Sequence, residues 1–262
     1  MFKQRLPLLR WLLATCLVVG GPLCASAQAP SVRSISVEGT EIAVSLGDER
    51  RLRSKDLVGA VLRMRFDGQP TEVRIANVEP DPEDRTATVW LHTFEVKQPD
   101  GSWNNLCLPG PDGRRQGFPL KDKDGAIDLT CSAGAVGKCV RFGYRPWASG
   151  PDGESLAPQH AACVRMVRGD YGGTRPFTRN GMSIDLYDLQ DIQKSDMAAD
   201  QTFEAGWTPD GAVCVHHPRV KENVTLEQLE AEFPRLKGRT GAVCTEDFAR
   251  RHGAILFNRS KD

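Results

Sequence analysis

Apolar and polar positions alternate through much of the first hundred residues. Ile35 and Val37 are separated by serines, Gly39-Thr40 interrupts, and Ile42, Val44 and Leu46 resume the alternation. Leu62, Met64 and Phe66 form a third run with Arg63 and Arg65 between them, and Asp67-Gly68 leads on to Val73 and Ile75. A period of two sends successive side chains to opposite faces, so these runs predict half-buried strands. From Val89 to Val96 most positions are apolar, which predicts a longer strand central to its sheet. Pro80-Asp81-Pro82 predicts the loop before it.

Beyond residue 105 the pattern is mixed. Cys139 to Tyr144 reads as a strand leading into Pro146-Trp147. Cys163, Met166, Val167 and Asp170 recur at helical spacing, which predicts a helix from His160 to Tyr171. Met182 to Asp188 alternates as a strand. Phe203–Trp207 and Ala212–His216 predict a hairpin around Asp210-Gly211. Thr225 with Gln228 three residues on forms a capping box, Leu226, Leu229 and Phe233 give the helix a buried stripe, and Pro234 marks its end. Thr245 caps a last short helix ending near Gly253. Asp-Gly recurs at 67–68, 100–101, 112–113, 124–125, 152–153 and 210–211. The alternating oxygen ligands ending in a glutamate that a calcium loop needs are absent around these pairs, so they predict turns. The sum is a β-dominated α+β protein. An N-terminal antiparallel β region (28–105) precedes a disulfide-stabilised α+β domain (106–262).

The first residues change the picture by setting the compartment. Lys3, Arg5 and Arg10 precede and flank an apolar run from Trp11 to Val19; Gly20-Gly21-Pro22 breaks it, and Ala25-Ser26-Ala27 follows. Basic, apolar and small-residue regions in that order predict a secretory signal peptide over 1–27, cleaved after Ala27. The run is shorter than the ~20 residues of a membrane span. Leu23 before Cys24 argues against a lipid anchor. A periplasmic or extracellular location follows, with no transmembrane segment after cleavage.

Charge and cysteine content narrow the partners. The chain has 34 Lys and Arg against 34 Asp and Glu; without the three leader cations it is mildly acidic, which gives no ground for nucleic-acid binding. Cys16 and Cys24 leave with the leader. Cys107, Cys131, Cys139, Cys163, Cys214 and Cys244 remain, an even number that predicts a disulfide framework in an exported chain. No pair has the close spacing of a structural zinc site. Fifteen pairings are open to six cysteines; if neighbours pair, each bridge contributes about 3–4 kcal/mol.

Candidate chemistry is sparse. Asp170, Asp185 and Asp188 are the best carboxylate set for acid–base work, as in glycoside hydrolysis. On a strand Asp185 and Asp188 face opposite ways, so pairing with Arg165, Arg168, Arg175 or Arg179 competes with any catalytic role. His160 lies three residues before Cys163, but a cysteine in an oxidising compartment is expected in a bridge. His216 and His217 are adjacent on a strand and point apart, so no metal site and no cofactor is expected. Tyr171, Trp147 and Trp207 are candidates for an aromatic binding platform. No zinc-protease, serine-hydrolase, phosphate-loop or dinucleotide motif is present.

Four segments in order carry a resemblance: KCVRFGYRPW (138–147), HAACVRMVRGDYGG (160–173), TRNGMSIDLYD (178–188) and FEAGWTPDGAVCVHHPRV (203–220), with the tail LFNRS at 256–260. From Leu106 to Ser260 the chain resembles the ADYC-domain family of exported bacterial proteins, whose function is unassigned. The resemblance implies a compartment and a fold unit, not a reaction. Gly169-Asp170-Tyr171-Gly172 stands where the family has Ala-Asp-Tyr-Cys, so Gly172 replaces a cysteine. Phe233, before Pro234, stands where the resemblance implies another, so both halves of one family bridge are absent together. The expected role is a non-catalytic binding or structural module of the cell envelope, with an unknown envelope protein or glycan as partner. The alternative is an envelope hydrolase using carboxylates near Asp170 and Asp185.

Overall fold

A computed structural model describes residues 31–261 apart from Asp67 and Lys123; the signal peptide expected over 1–27 lies outside the described residues. Strands predominate, in three sheets. The first holds β1 (Val32–Glu38), β2 (Glu41–Leu46) and β3 (Arg51–Arg53), all antiparallel. Gly39, at φ +62°, turns β1 into β2, and Thr40 beside it is buried, accepting the Trp90 amide on its hydroxyl at 2.7 Å.

The second sheet runs β4 (Val61–Phe66), β5 (Gln69–Pro80), β6 (Trp90–Lys97), β8 (Gly117–Lys121) and β9 (Ile127–Cys131), with β7 (Trp103–Asn105) also pairing with β6. The alternation of β4 is kept: Leu62, Met64 and Phe66 are half-buried, and Arg63 and Arg65 are exposed. Strand β6 lies inside its sheet, as its apolar run implies. Ile42, Val44, Val73, Ile75 and Phe94 fill the core between this sheet and the first. Strands β8 and β9 lie beyond residue 105, so the sheet runs on past the N-terminal region of the sequence reading.

The third sheet has the order β10 (Asp185–Asp188), β13 (Leu256–Ser260), β11 (Thr202–Thr208) and β12 (Gly211–Val215). Helix α2 (Ala157–Arg168) packs on it, and α1 (Ala135–Arg141) packs on α2. Helices α3 (Leu226–Glu232) and α4 (Glu246–Arg251) complete this half. Tyr144, Met166, Tyr171, Trp207, Leu229 and Leu256 are buried in its core. The two halves share a smaller cluster, in which Leu91 and Phe118 of the second sheet meet Val140 of α1. Arg141 on Asp81 (2.7 Å) and Arg145 on Asp84 (2.7 Å) add ion pairs across the same junction. Burial raises the Asp84 carboxyl, but hydrogen bonds from Thr86, Val89 and Thr88 outweigh it and hold the group well below the usual carboxylate range.

Local signals held where they were chemical. The glycines of all six Asp-Gly pairs have positive φ. Thr225 and Gln228 form the reciprocal cap of α3, and the Thr245 hydroxyl accepts the Phe248 amide at the start of α4. The six cysteines pair as neighbours: Cys107–Cys131, Cys139–Cys163 and Cys214–Cys244. Three readings need correction. The segment from Cys139, read as a strand, is the second half of α1, whose apolar side is covered by α2 and β9. The helix read as ending at Tyr171 stops at Arg168, because Gly169 takes the left-handed conformation (φ +57°) and closes it. The strand read from Met182 starts at Asp185, where β13 begins to pair with it. Strands β7, β8, β9 and β13 were not foreseen. Strands β7, β8 and β13 carry no clear alternation, and Pro119 sits in the middle of β8; β9 does alternate (Ile127, Leu129 and Cys131 against Asp128 and Thr130), a signal that was missed.

Candidate functional site

Asp170 follows the glycine that closes α2. It is fully buried, with Arg165 at 2.7 Å on one oxygen and the Arg175 amide at 3.1 Å on the other. Asp185 accepts the Ser195 hydroxyl at 2.5 Å and the Asp196 amide at 3.3 Å. Asp188 accepts the Tyr144 hydroxyl at 2.8 Å together with the amides of Gln190 and Gln193. The three carboxylates share no hydrogen-bond partner. Each holds a turn or a loop in place, and none of them lines any of the five clefts described below.

Tyr171 and Trp207 are core residues rather than a platform. Their rings stack at 5.3 Å, and both are buried. The Tyr171 hydroxyl donates to Glu204 at 2.9 Å and accepts the Arg219 amide at 3.1 Å. Arg219 donates to Glu204 through two nitrogens at 3.0 and 2.8 Å, and to the Met166 carbonyl at 2.8 Å. Asn258 donates to the second Glu204 oxygen at 2.7 Å and accepts from the Trp207 indole at 2.7 Å. This network ties α2, β11, β13 and the segment after β12 into one unit. Burial opposes ionisation of Glu204, but Arg219 outweighs it and the carboxyl stays low; burial, then Glu204, pushes the Tyr171 hydroxyl up. Sequence reasoning missed Glu204, Arg219 and Asn258. The one available signal was a charged residue in the middle of the apolar Phe203–Trp207 run. Trp147 differs from the other two aromatics: it is 40% exposed, with its indole against Gly39.

The remaining candidates are occupied. Cys163 is bridged to Cys139, so it offers no thiol to His160, whose Nε2 lies 3.2 Å from the Val136 carbonyl. His216 lies against the Cys244 carbonyl and His217 against the Thr202 hydroxyl. Among the described residues no three His, Cys, Asp or Glu side chains are grouped to hold a metal ion.

A cleft of about 710 Å³ opens beside this unit. The first turn of α1 and Ser132–Gly134 contribute one part of the lining, the end of α2 with Val167 and Arg168 another, and the loop 176–184 a third; Arg219 also lines it. The Cys139–Cys163 bridge joins α1 to α2 and so fixes the two helical parts of the lining. Arg141 on the rim is matched by Asp81, Glu83 and Asp112. Lys138, Arg168 and Arg179 also line the cleft, and none of them has an ion pair or side-chain hydrogen bond among the described residues. The same lining includes the apolar side chains of Phe142, Val167 and Met182.

The model of one family, the ADYC domain, matches residues 54–221. The match begins well before the Leu106–Ser260 stretch that carries the resemblance and stops before α3. No curated protein matches, and no solved structure matches. The lining of the cleft, from Glu83 to Arg219, falls wholly within the matched segment. Four other clefts each draw part of their lining from outside it: Ile35 and Ile42 in one, Val37 and Gly39 in another, and residues beyond 221 in the last two.

Proposed function

We propose, from the premise that this chain belongs to the ADYC-domain family, that it is a non-catalytic binding module of an extracytoplasmic compartment and that the cleft bounded by α1, α2 and the 176–184 loop is its binding site. The observation that carries the reading is how charge is distributed. Asp170, Asp185 and Asp188 are consumed by bonds that hold the fold, while Lys138, Arg168 and Arg179 are left unmatched around a cleft built from the family segment alone. A hydrolase of the two-carboxylate kind needs both groups within reach of one bond, and these carboxylates are held by separate partners.

Three disulfides support an oxidising compartment. No helix among the described residues is long and apolar enough to cross a membrane. The signal peptide read from residues 1–27 supports export to the periplasm or beyond, with an envelope protein as partner.

The test is site-specific photo-cross-linking in the protein's own host. A photoreactive side chain at Asn180, exposed on the cleft loop, is expected to give a discrete adduct; the same group at the exposed Val243, which does not line the cleft, is expected to give none. An adduct at Val243 with none at Asn180 would overturn the reading.

A further inference from the structure

We infer that the cleft takes a short acidic peptide segment whose carboxylates alternate with apolar side chains, an inference that rests on the cleft being the binding site. Two features of the lining set this chemistry. The first is unmatched positive charge of the right shape. Arg141 and Arg219 are neutralised by their own carboxylates, which leaves Lys138, Arg168 and Arg179 as the excess. A guanidinium presents a planar fork of donors that fits a carboxylate in a bidentate pair. Arg168 and Arg179 are both exposed, so their forks are open to an incoming group.

The second feature is the apolar part of the lining, which includes Phe142, Val167 and Met182. A bare phosphate or a sulfated sugar would satisfy the arginines and leave those side chains against water. A sugar ring is best held on a broad aromatic face, and Trp147 lines a different cleft while Trp207 is buried. A peptide with acidic and apolar residues in alternation uses the forks and the apolar lining together. Its apolar side chains gain the area they remove from water, and its charges set approach and register. The volume falls within the ~300–1,000 Å³ range of ordinary ligand sites.

The experiment uses the oxidised full-length mature chain and a short fluorescent peptide alternating Glu with Leu, followed by anisotropy. Saturable binding is expected, weakened at least about tenfold when Glu is replaced by Gln or Leu by Ser, and by a similar factor in R168Q/R179Q. R168K/R179K keeps the charge without the forks and is expected to fall between. Inorganic phosphate is expected not to displace the peptide. Equal binding of the Glu–Ser peptide, displacement by phosphate, or unchanged binding by R168Q/R179Q would each overturn the inference. The thermal midpoint of each variant separates lost binding from lost fold. An Asn180 adduct without peptide binding removes the ligand class and keeps the site; loss of both removes the site as well.

Discussion

His92 is a single residue with a measurable consequence. It is fully buried on β6 and stacked on Phe94 at 5.2 Å, with the backbone of Trp90 and Gly117 beside its ring nitrogens offsetting only part of the burial. Burial pushes it down to about 4 from an ordinary 6.5. Below pH 6.5 the unfolded chain takes up a proton that the folded chain refuses. Stability is therefore lost as pH falls from about 6.5 to 4, by roughly 3 kcal/mol for this group. Urea unfolding of wild type and His92→Leu across that range checks it: the variant is expected to lose this part of the pH slope, and parallel slopes would refute the assignment. Asp170 and Tyr171 teach the opposite lesson at the same scale. The family motif drew attention to them as candidate chemistry, yet their side chains are fully buried and bonded inward.

Between elements, the loop after α2 and the end of α3 meet at Gly172 and Phe233. A Cβ at Gly172 would overlap the Phe233 ring, so the glycine is required by the aromatic that faces it. These are the two positions at which the resemblance implies cysteines, and the structure brings them into contact. Gly172→Ala is expected to destabilise by about 2 kcal/mol through overpacking and Phe233→Ala by about 3 kcal/mol through a cavity. The double variant is expected to cost clearly less than their sum, because the methyl occupies space the ring has left. G172C/F233C is expected to close a fourth bridge, read as an intact mass eight hydrogens below the fully reduced value, against six for the three native bridges. Additive energies and two free thiols would count against the pairing. Strand β13 is a further lesson about elements. Leu256–Ser260 has no alternation to announce it, yet it lies between β10 and β11 and is paired on both edges.

For the whole molecule, the buried Glu204–Arg219 pair is the point where helix, sheet and loop are tied. Removing one partner leaves an uncompensated charge in the core. Glu204→Leu or Arg219→Leu is each expected to cost about 3–5 kcal/mol, and E204L/R219L less than the two single costs added together. Denaturant midpoints of the three variants measure it; a double variant at or beyond the sum would show that the pair is not coupled.

The sequence by itself determined whatever depends on neighbours along the chain. Alternation gave the N-terminal strands, Asp-Gly pairs gave the turns, Thr225 and Thr245 gave two helix starts, and an even cysteine count gave the bridges as a class. Each of these is a local rule of backbone geometry or chemistry, readable within a few residues. Tertiary structure alone decided that Cys139 sits on a helix, that β8 and β13 are strands, and that cysteines pair as neighbours. It also decided that Glu204, Arg219 and Asn258 converge, and that Lys138, Arg168 and Arg179 surround one cleft. Those outcomes depend on residues far apart in sequence being buried together, where a hydrogen bond or ion pair is set by which surfaces exclude water rather than by spacing along the chain.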